Sequence, residues 1–182
     1  MKRAIVTPAA LDPAALAELK DWLGITQGSD DAQLTALLRM ALDLCEDFTG
    51  IMPLQQDCEQ ILPVTSGWTA LGAAPVQAIA RVEGIPAEGS RFALPAGSYA
   101  IDIGADGAGR VRVTNAGAAG RVAVRFAAGL SASWAVLPDA LRHGVLRLAA
   151  HQYRQREEQG SAALPPAAVA ALWRPWRRMR LA

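Results

Sequence analysis

The stretch Leu137–Ala182 constrains this chain most, because its hydrophobic period, its breaks and its charge leave few ways to fold it. Pro138 suits a first helical turn, where its missing N–H would have no intrahelical partner anyway. Asp139 sets a negative charge against the positive end of the helix dipole. Leu141, Val145, Leu148, Ala149 and Tyr153 then fall on one face of a 3.6-residue period. Gly160 and Ser161 end the pattern. Pro165-Pro166 blocks continuation and can start a short helix at Ala167, carrying Val169, Leu172 and Trp173 before Pro175 disrupts it. The last ten residues, Trp173–Ala182, hold Arg174, Arg177, Arg178 and Arg180 and no acid. Large apolar side chains such as Trp173 and Trp176 cost roughly 1.5–3 kcal/mol each to leave in water. This tail therefore either folds back on its own domain or docks on a partner, and Trp and Arg are the residue types that dominate interface energetics.

From the other end, Asp12-Pro13 reads as a helix start, with an acid at the N-cap and proline at the first helical position. Leu16, Leu19, Trp22 and Leu23 form its apolar stripe, and Gly24 terminates it. Ser29, Asp30 and Asp31 offer caps for a longer second helix with the stripe Leu34, Leu37, Leu38, Ala41, Leu42, Cys45 and Phe48, closed by Gly50. Two helices with a short link predict an antiparallel hairpin. From Met52 to Gly129 the chain turns rich in Gly, Pro and Ala with short β-branched runs. Strands are expected at Gln55–Leu62, Trp68–Leu71, Val76–Ile85, Ser98–Asp102, Gly109–Thr114 and Gly120–Phe126. Residues 110–113 and 121–126 alternate in period two, and Asp106-Gly107 and Asn115-Ala116-Gly117 are turn signals.

The predicted fold class is α+β. A helical bundle, made of the N-terminal hairpin (1–51) and a long C-terminal helix (131–160), carries an inserted small antiparallel β module (52–130) and a short C-terminal helix and tail (161–182). A length of 182 residues suits one composite domain. No run approaches the roughly 20 apolar residues of a membrane span, so no membrane is expected as a partner. The start MKRAIVTPAALDPAA lacks the sustained apolar stretch of an export signal. Without one, Cys45 and Cys58 are expected as reduced thiols.

A net charge of +1 hides an asymmetry. Residues 1–60 carry four basic and ten acidic side chains, whereas residues 140–182 carry eight arginines and two glutamates. A chain acidic at one end and basic at the other can associate head-to-side with copies of itself. On this ground Asp43, Glu46 and Asp47 of the second helix, with Arg142 and Arg147 of the C-terminal helix, are candidate subunit-contact residues.

The search for chemistry excludes most enzyme classes. There is no G-x-x-x-x-G-K-[ST], no G-x-G-x-x-G opening a helix, no H-E-x-x-H and no G-x-S-x-G. His143 and His151 lie two turns apart on one helix with no acid or cysteine joining them, which favours a structural role over a metal site. No catalytic residue, cofactor or metal is expected. The second reading is a nucleic-acid-binding module using the Arg/Trp-rich C-terminus. Against it, the chain is nearly neutral, far from the basic character of a dedicated binder. Arg110, Arg112, Arg121 and Arg125 on the strands remain available for weak, sequence-independent contact with DNA.

The order of features resembles the head–tail connector (adaptor) proteins of tailed phages and of phage-derived gene transfer agents. Residues 16–25, LAELKDWLGI, look like that family's opening helix, and Ser29-Asp30-Asp31-Ala32-Gln33-Leu34 its acidic start to the second. Ala41–Gly50 resembles A-x-x-x-x-E-x-x-T-G, Leu71–Val76 resembles L-x-x-x-P-V, and Phe126–Gly129 resembles F-x-A-G. His151–Glu157 is similar to H-x-Y-x-x-R-E, and Leu172–Arg180 to an L-L-x-P-x-R ending with Trp173 at the second Leu.

The resemblance implies a virion structural protein at the head–tail junction, assembled in the bacterial host cytoplasm. Such proteins form a ring, commonly a dodecamer, below the portal protein, and their outer side receives a stopper or tail terminator protein. DNA passes non-specifically through the channel. It further implies that Trp173, Arg174, Pro175, Trp176, Arg177, Arg178, Met179 and Arg180 dock on the portal, the tryptophans as anchors and the arginines setting register. The Gly160–Pro165 break would let this tail adapt during assembly.

Overall fold

A computed structural model describes residues 3–155 and 165–178. These form two compact units, one from the described residues of Met1–Ala9 and Gln55–Leu130, the other from those of Ala10–Leu54 and Ser131–Ala182. The Gly160–Pro165 break lies outside the described residues except for Pro165. The α+β class expected from the sequence is the one observed.

The first unit is all β. Its strands are β1 (Ala4–Thr7), β2 (Gln56–Pro63), β3 (Thr69–Ala70), β4 (Val76–Pro86), β5 (Phe92–Ala93), β6 (Tyr99–Ile103), β7 (Gly109–Val113) and β8 (Ala119–Ala128). They make a five-stranded sheet in the order β1-β2-β8-β4-β5 and a three-stranded sheet in the order β3-β7-β6, antiparallel throughout. The period-two runs flagged in the sequence become β7 and β8, which belong to different sheets. Asn115 Oδ1 accepts from the Gly117 N–H at 3.0 Å in the turn between them. Asp106 likewise accepts from the Ala108 N–H at 3.0 Å in the turn joining β6 to β7.

Alternation decides what this unit buries. On β2, Cys58, Gln60 and Leu62 point inward while Asp57 and Ile61 are exposed. Val122, Val124 and Phe126 of β8 and Val82 of β4 complete the core with Val111 and Val113 of β7. Gln60 is a buried polar exception whose Oε1 accepts the Gly72 N–H at 2.7 Å. Two strands were not expected. All four residues of β1 are exposed, so no alternation marks it, and only its backbone pairing to β2 makes it a strand. The two-residue β5 is held by pairing to β4.

The second unit is helical: α1 (Pro13–Leu23), α2 (Asp31–Thr49), α3 (Asp139–Gln155) and α4 (Ala167–Trp173), followed by a 3-10 turn at Arg174–Trp176. Asp12 caps α1, its carboxylate accepting from the Ala14 N–H at 2.9 Å. Gly24 and Gly50 end α1 and α2 in left-handed conformations (φ 72° and 71°) that side-chain-bearing residues rarely adopt. Lys20 of α1 pairs with Asp31 at the start of α2 at 2.7 Å. Tyr153 near the end of α3 donates its hydroxyl proton to Asp30. Leu19, Leu34, Leu38, Ala41, Cys45, Leu141, Val145 and Ala149 are fully buried together. Trp134 joins them, its indole N–H donating to Glu18 at 3.2 Å. Among the described residues no helix is long and apolar enough to cross a membrane.

Candidate assembly surface of the helical unit

The C-terminal segment is fixed by one side chain. Trp173 is 0 % exposed, and its indole lies over Gly144 of α3. A Cβ on Gly144 would stand 2.0 Å from Trp173 Nε1, so only glycine leaves room for the ring. The indole N–H donates to the Leu141 carbonyl at 3.4 Å, and the ring packs on Phe48 of α2 at 6.0 Å between centroids. Trp173, expected among the portal-docking anchors, is therefore a core residue of its own unit. Its burial comes from the notch that Gly144 opens, a feature no local pattern announces.

Beyond Trp173 the chain runs along the surface of the unit. Arg174, Pro175 and Arg177 are exposed, while Trp176 and Arg178 are half-buried. The Arg178 N–H donates at 2.8 Å to the carbonyl of Thr49, one of the α2 carbonyls left without an intrahelical partner. The Arg177 guanidinium sits over the Phe48 ring at 5.4 Å. This tail thus folds back on its own unit through Trp173 and Arg178, yet presents Arg174, Pro175, Trp176 and Arg177 at the surface. Met179 and Arg180 lie outside the described residues.

The charged residues singled out for subunit contact all lie in this unit. Asp43 and Asp47 are exposed and Glu46 half-buried on α2. Arg142 lies 3.0 Å from Asp139 and 3.9 Å from Glu18, so part of its charge is balanced within the chain. Arg147 is exposed and reaches over the ring of Trp22 at 5.9 Å. Trp22, counted in the apolar stripe of α1, is 41 % exposed, while Ala15 and Leu19 form the buried spine of that helix. Its indole meets the edge of His143 at 6.0 Å and 87°. His143 is thus a surface stacking partner. Among the described residues no group of three His, Cys, Asp or Glu could hold a metal ion.

Neither cysteine forms a disulfide, and both are buried. Burial pushes the Cys45 thiol up to about 12; Glu46 acts in the same direction and the hydrogen bond with Thr49 opposes it. Such a thiol is not a nucleophile at neutral pH. In the β unit, Arg110, Arg121 and Arg125 are exposed, and Arg112 lies over the Trp68 ring at 5.0 Å. Arg125 and Arg91 both reach Glu59, at 3.3 and 3.0 Å.

The parts are thus packed helices, sheets and charged surfaces. The family described as phage gp6-like head-tail connector protein matches residues 13–74. A chain from the neck of an empty gene transfer agent (GTA) particle, computed with C6 symmetry, superposes with a TM-score of 0.79 at 28 % identity, covering 100 % of this chain and 98 % of that one. A chain from the neck of the native GTA particle, computed with C12 symmetry, gives 0.76 at 30 % identity with the same coverage. One from the virion of the native particle gives 0.74 at 30 % identity, again covering 100 % and 98 %. No curated protein sequence matches the chain. With the family match over residues 13–74 and the likeness to gene transfer agent chains running the length of both chains, the protein belongs to the phage gp6-like head–tail connector family.

Proposed function

We propose that this connector assembles as a dodecameric ring beneath the portal protein, around the channel through which DNA passes, and receives a stopper or tail terminator protein on its other side. Membership of the family makes it a component of a virion or virus-like particle. The ring reading is supported by the similar chains from gene transfer agent necks computed with C6 and C12 symmetry. The role is structural, with no catalytic step, cofactor or metal assigned.

The observation that carries the docking assignment is the surface position of the residues that follow Trp173. A fully buried indole anchors the segment, and Arg174, Pro175, Trp176 and Arg177 follow at the surface. A half-buried tryptophan flanked by exposed arginines is the composition of an interface hot spot. In this reading Trp176 enters an apolar portal pocket, Arg174, Arg177 and Arg178 pair with portal carboxylates, and Trp173 holds the segment in place from inside.

Co-purification with the portal protein encoded beside it tests this. The full-length chain is expected to bind, and Trp176→Ala combined with Arg177→Glu to lose binding while melting as the full-length chain does. Unchanged binding by that variant would move docking away from this segment. Retention of duplex DNA at low salt by a chain that never binds the portal would favour the nucleic-acid reading. The burial of Trp173 already leaves that reading only one of its two tail tryptophans for base stacking.

A further inference from the structure

Among its described residues the helical unit leaves an open groove. It is a cavity of about 280 Å³ walled by Trp22 of α1, by Arg147, His151 and Arg154 of α3, and by Pro166 and Val169 at the start of α4. Arg147, His151 and Arg154 stand at positions i, i+4 and i+7, so they share one face of α3 and form a basic rail. Arg147 and Arg154 are exposed. Beside the rail stands the indole of Trp22, 41 % exposed, with the Arg147 guanidinium 5.9 Å from its ring centre. An occupant that fits these walls has acidic groups for the rail and a compact apolar side chain for the indole.

The same unit carries a stripe with that chemistry. Ala36, Met40, Asp43 and Asp47 of α2 are all exposed and stand at i, i+4, i+7 and i+11, one face of the helix. Met40 is 41 % exposed, an uncommon position for a side chain that favours contact with aromatic rings. Asp43 and Asp47, one turn apart, lie on the C-terminal side of it. A closed ring of more than two copies needs two different complementary patches on each subunit, because the contact is heterologous. The groove and the α2 stripe are such a pair.

We infer that the outer stripe of α2 in one copy seats in the Trp22–Arg147–Arg154 groove of the next, with Met40 against the Trp22 ring and Asp43 and Asp47 against the α3 rail. This assignment rests on the ring reading above. Arg147 thereby acts between copies, and Arg142, already paired with Asp139 and Glu18, acts within one.

The test uses two charge-reversed full-length chains. One carries Asp43→Lys and Asp47→Lys; the other carries Arg147→Glu and Arg154→Glu. Each alone opposes like charges at every contact and is expected to lose the ring species in sedimentation velocity, with or without portal protein. Mixed in equal amounts, the two chains restore opposite charges at both kinds of contact when they alternate, so an even-membered ring is expected to return. Rings formed equally well by either reversed chain alone would overturn the assignment while leaving the ring reading intact. A wild-type chain that forms no ring, even on the portal, would overturn the ring reading and this inference with it. A second measurement does not depend on reversed charges. Ala168 also lines the groove, and under a mild oxidant Met40→Cys with Ala168→Cys is expected to give a ladder of disulfide-linked multimers that neither single variant gives; its absence from assembled rings would overturn the contact.

Discussion

Gly144 and Trp173 share one space: the position a Cβ would take on Gly144 is 2.0 Å from the indole nitrogen of Trp173. A glycine in the interior of α3 lowers intrinsic helix stability by about 1 kcal/mol relative to alanine. Here that loss is offset by a buried tryptophan, whose removal typically costs about 3–5 kcal/mol. The pair joins the C-terminal helix to the bundle and sets where the segment beyond it begins.

The first prediction is therefore a reversal of sign. Gly144→Ala is expected to destabilise the chain by roughly 1–3 kcal/mol, because a methyl group has no room beneath the indole. In a Trp173→Ala background the same change is expected to stabilise by about 1 kcal/mol, the ordinary helix gain. Urea unfolding of the four chains in the cycle measures both values, and a Gly144→Ala effect of the same sign in both backgrounds would contradict the shared space.

Truncation should show a step. A chain ending at Trp173 keeps the indole and loses the bond from the Arg178 N–H to the Thr49 carbonyl, for which about 1 kcal/mol is expected. A chain ending at Leu172 loses the indole too, and its unfolding free energy is expected to fall by several kcal/mol, on the order of the buried Trp deletion. Thermal unfolding of the two truncations checks this, and equal midpoints would show that the indole contributes little.

Cys45 gives an alkaline limb to stability. Its thiol holds its proton to about 12 in the folded chain, against an ordinary value of 9.0. Below the ordinary value both states are protonated and the term is constant. Above it the unfolded chain releases a proton that the folded chain retains, so stability falls as pH rises towards the folded value. One such proton corresponds to about 1.4 kcal/mol per pH unit. Urea unfolding of the wild type and Cys45→Ala from about pH 8 to about pH 10.5 should show a steeper decline for the wild type. Parallel declines would mean that the thiol ionises in the folded protein.

Gln60 makes a different kind of claim on the β unit. Its Oε1 accepts the Gly72 N–H at 2.7 Å from a side chain only 3 % exposed. Gln60→Leu removes the acceptor, and a destabilisation of about 1 kcal/mol is expected from the lost hydrogen bond, because Gly72 is exposed and its N–H can turn to water. Hydrogen exchange at the Gly72 amide should accelerate in the variant by more than global unfolding explains. An unchanged rate would show that the amide draws its protection from elsewhere.

Much of the architecture was written in the sequence by itself. Asp12-Pro13, Gly24, Gly50 and the proline pair before Ala167 mark helix ends through caps and backbone restrictions that act within a few residues. The alternation around Val111 likewise marks a strand with one buried face, whereas beside Val124 the intervening Ala123 is buried as well. The acidic α2 and the arginine-rich C-terminal region were legible as charge, and the ordered motifs as a family. Tertiary structure decided the rest. Ala4–Thr7 is a strand only because β2 offers it an edge, and the flanking runs β7 and β8 part into separate sheets by long-range pairing. Trp173 and Trp22 are equally apolar on paper, yet one is buried over Gly144 and the other stands in a surface groove. Local sequence sets the direction of a side chain on its own element, whereas what covers it comes from elements distant in the chain.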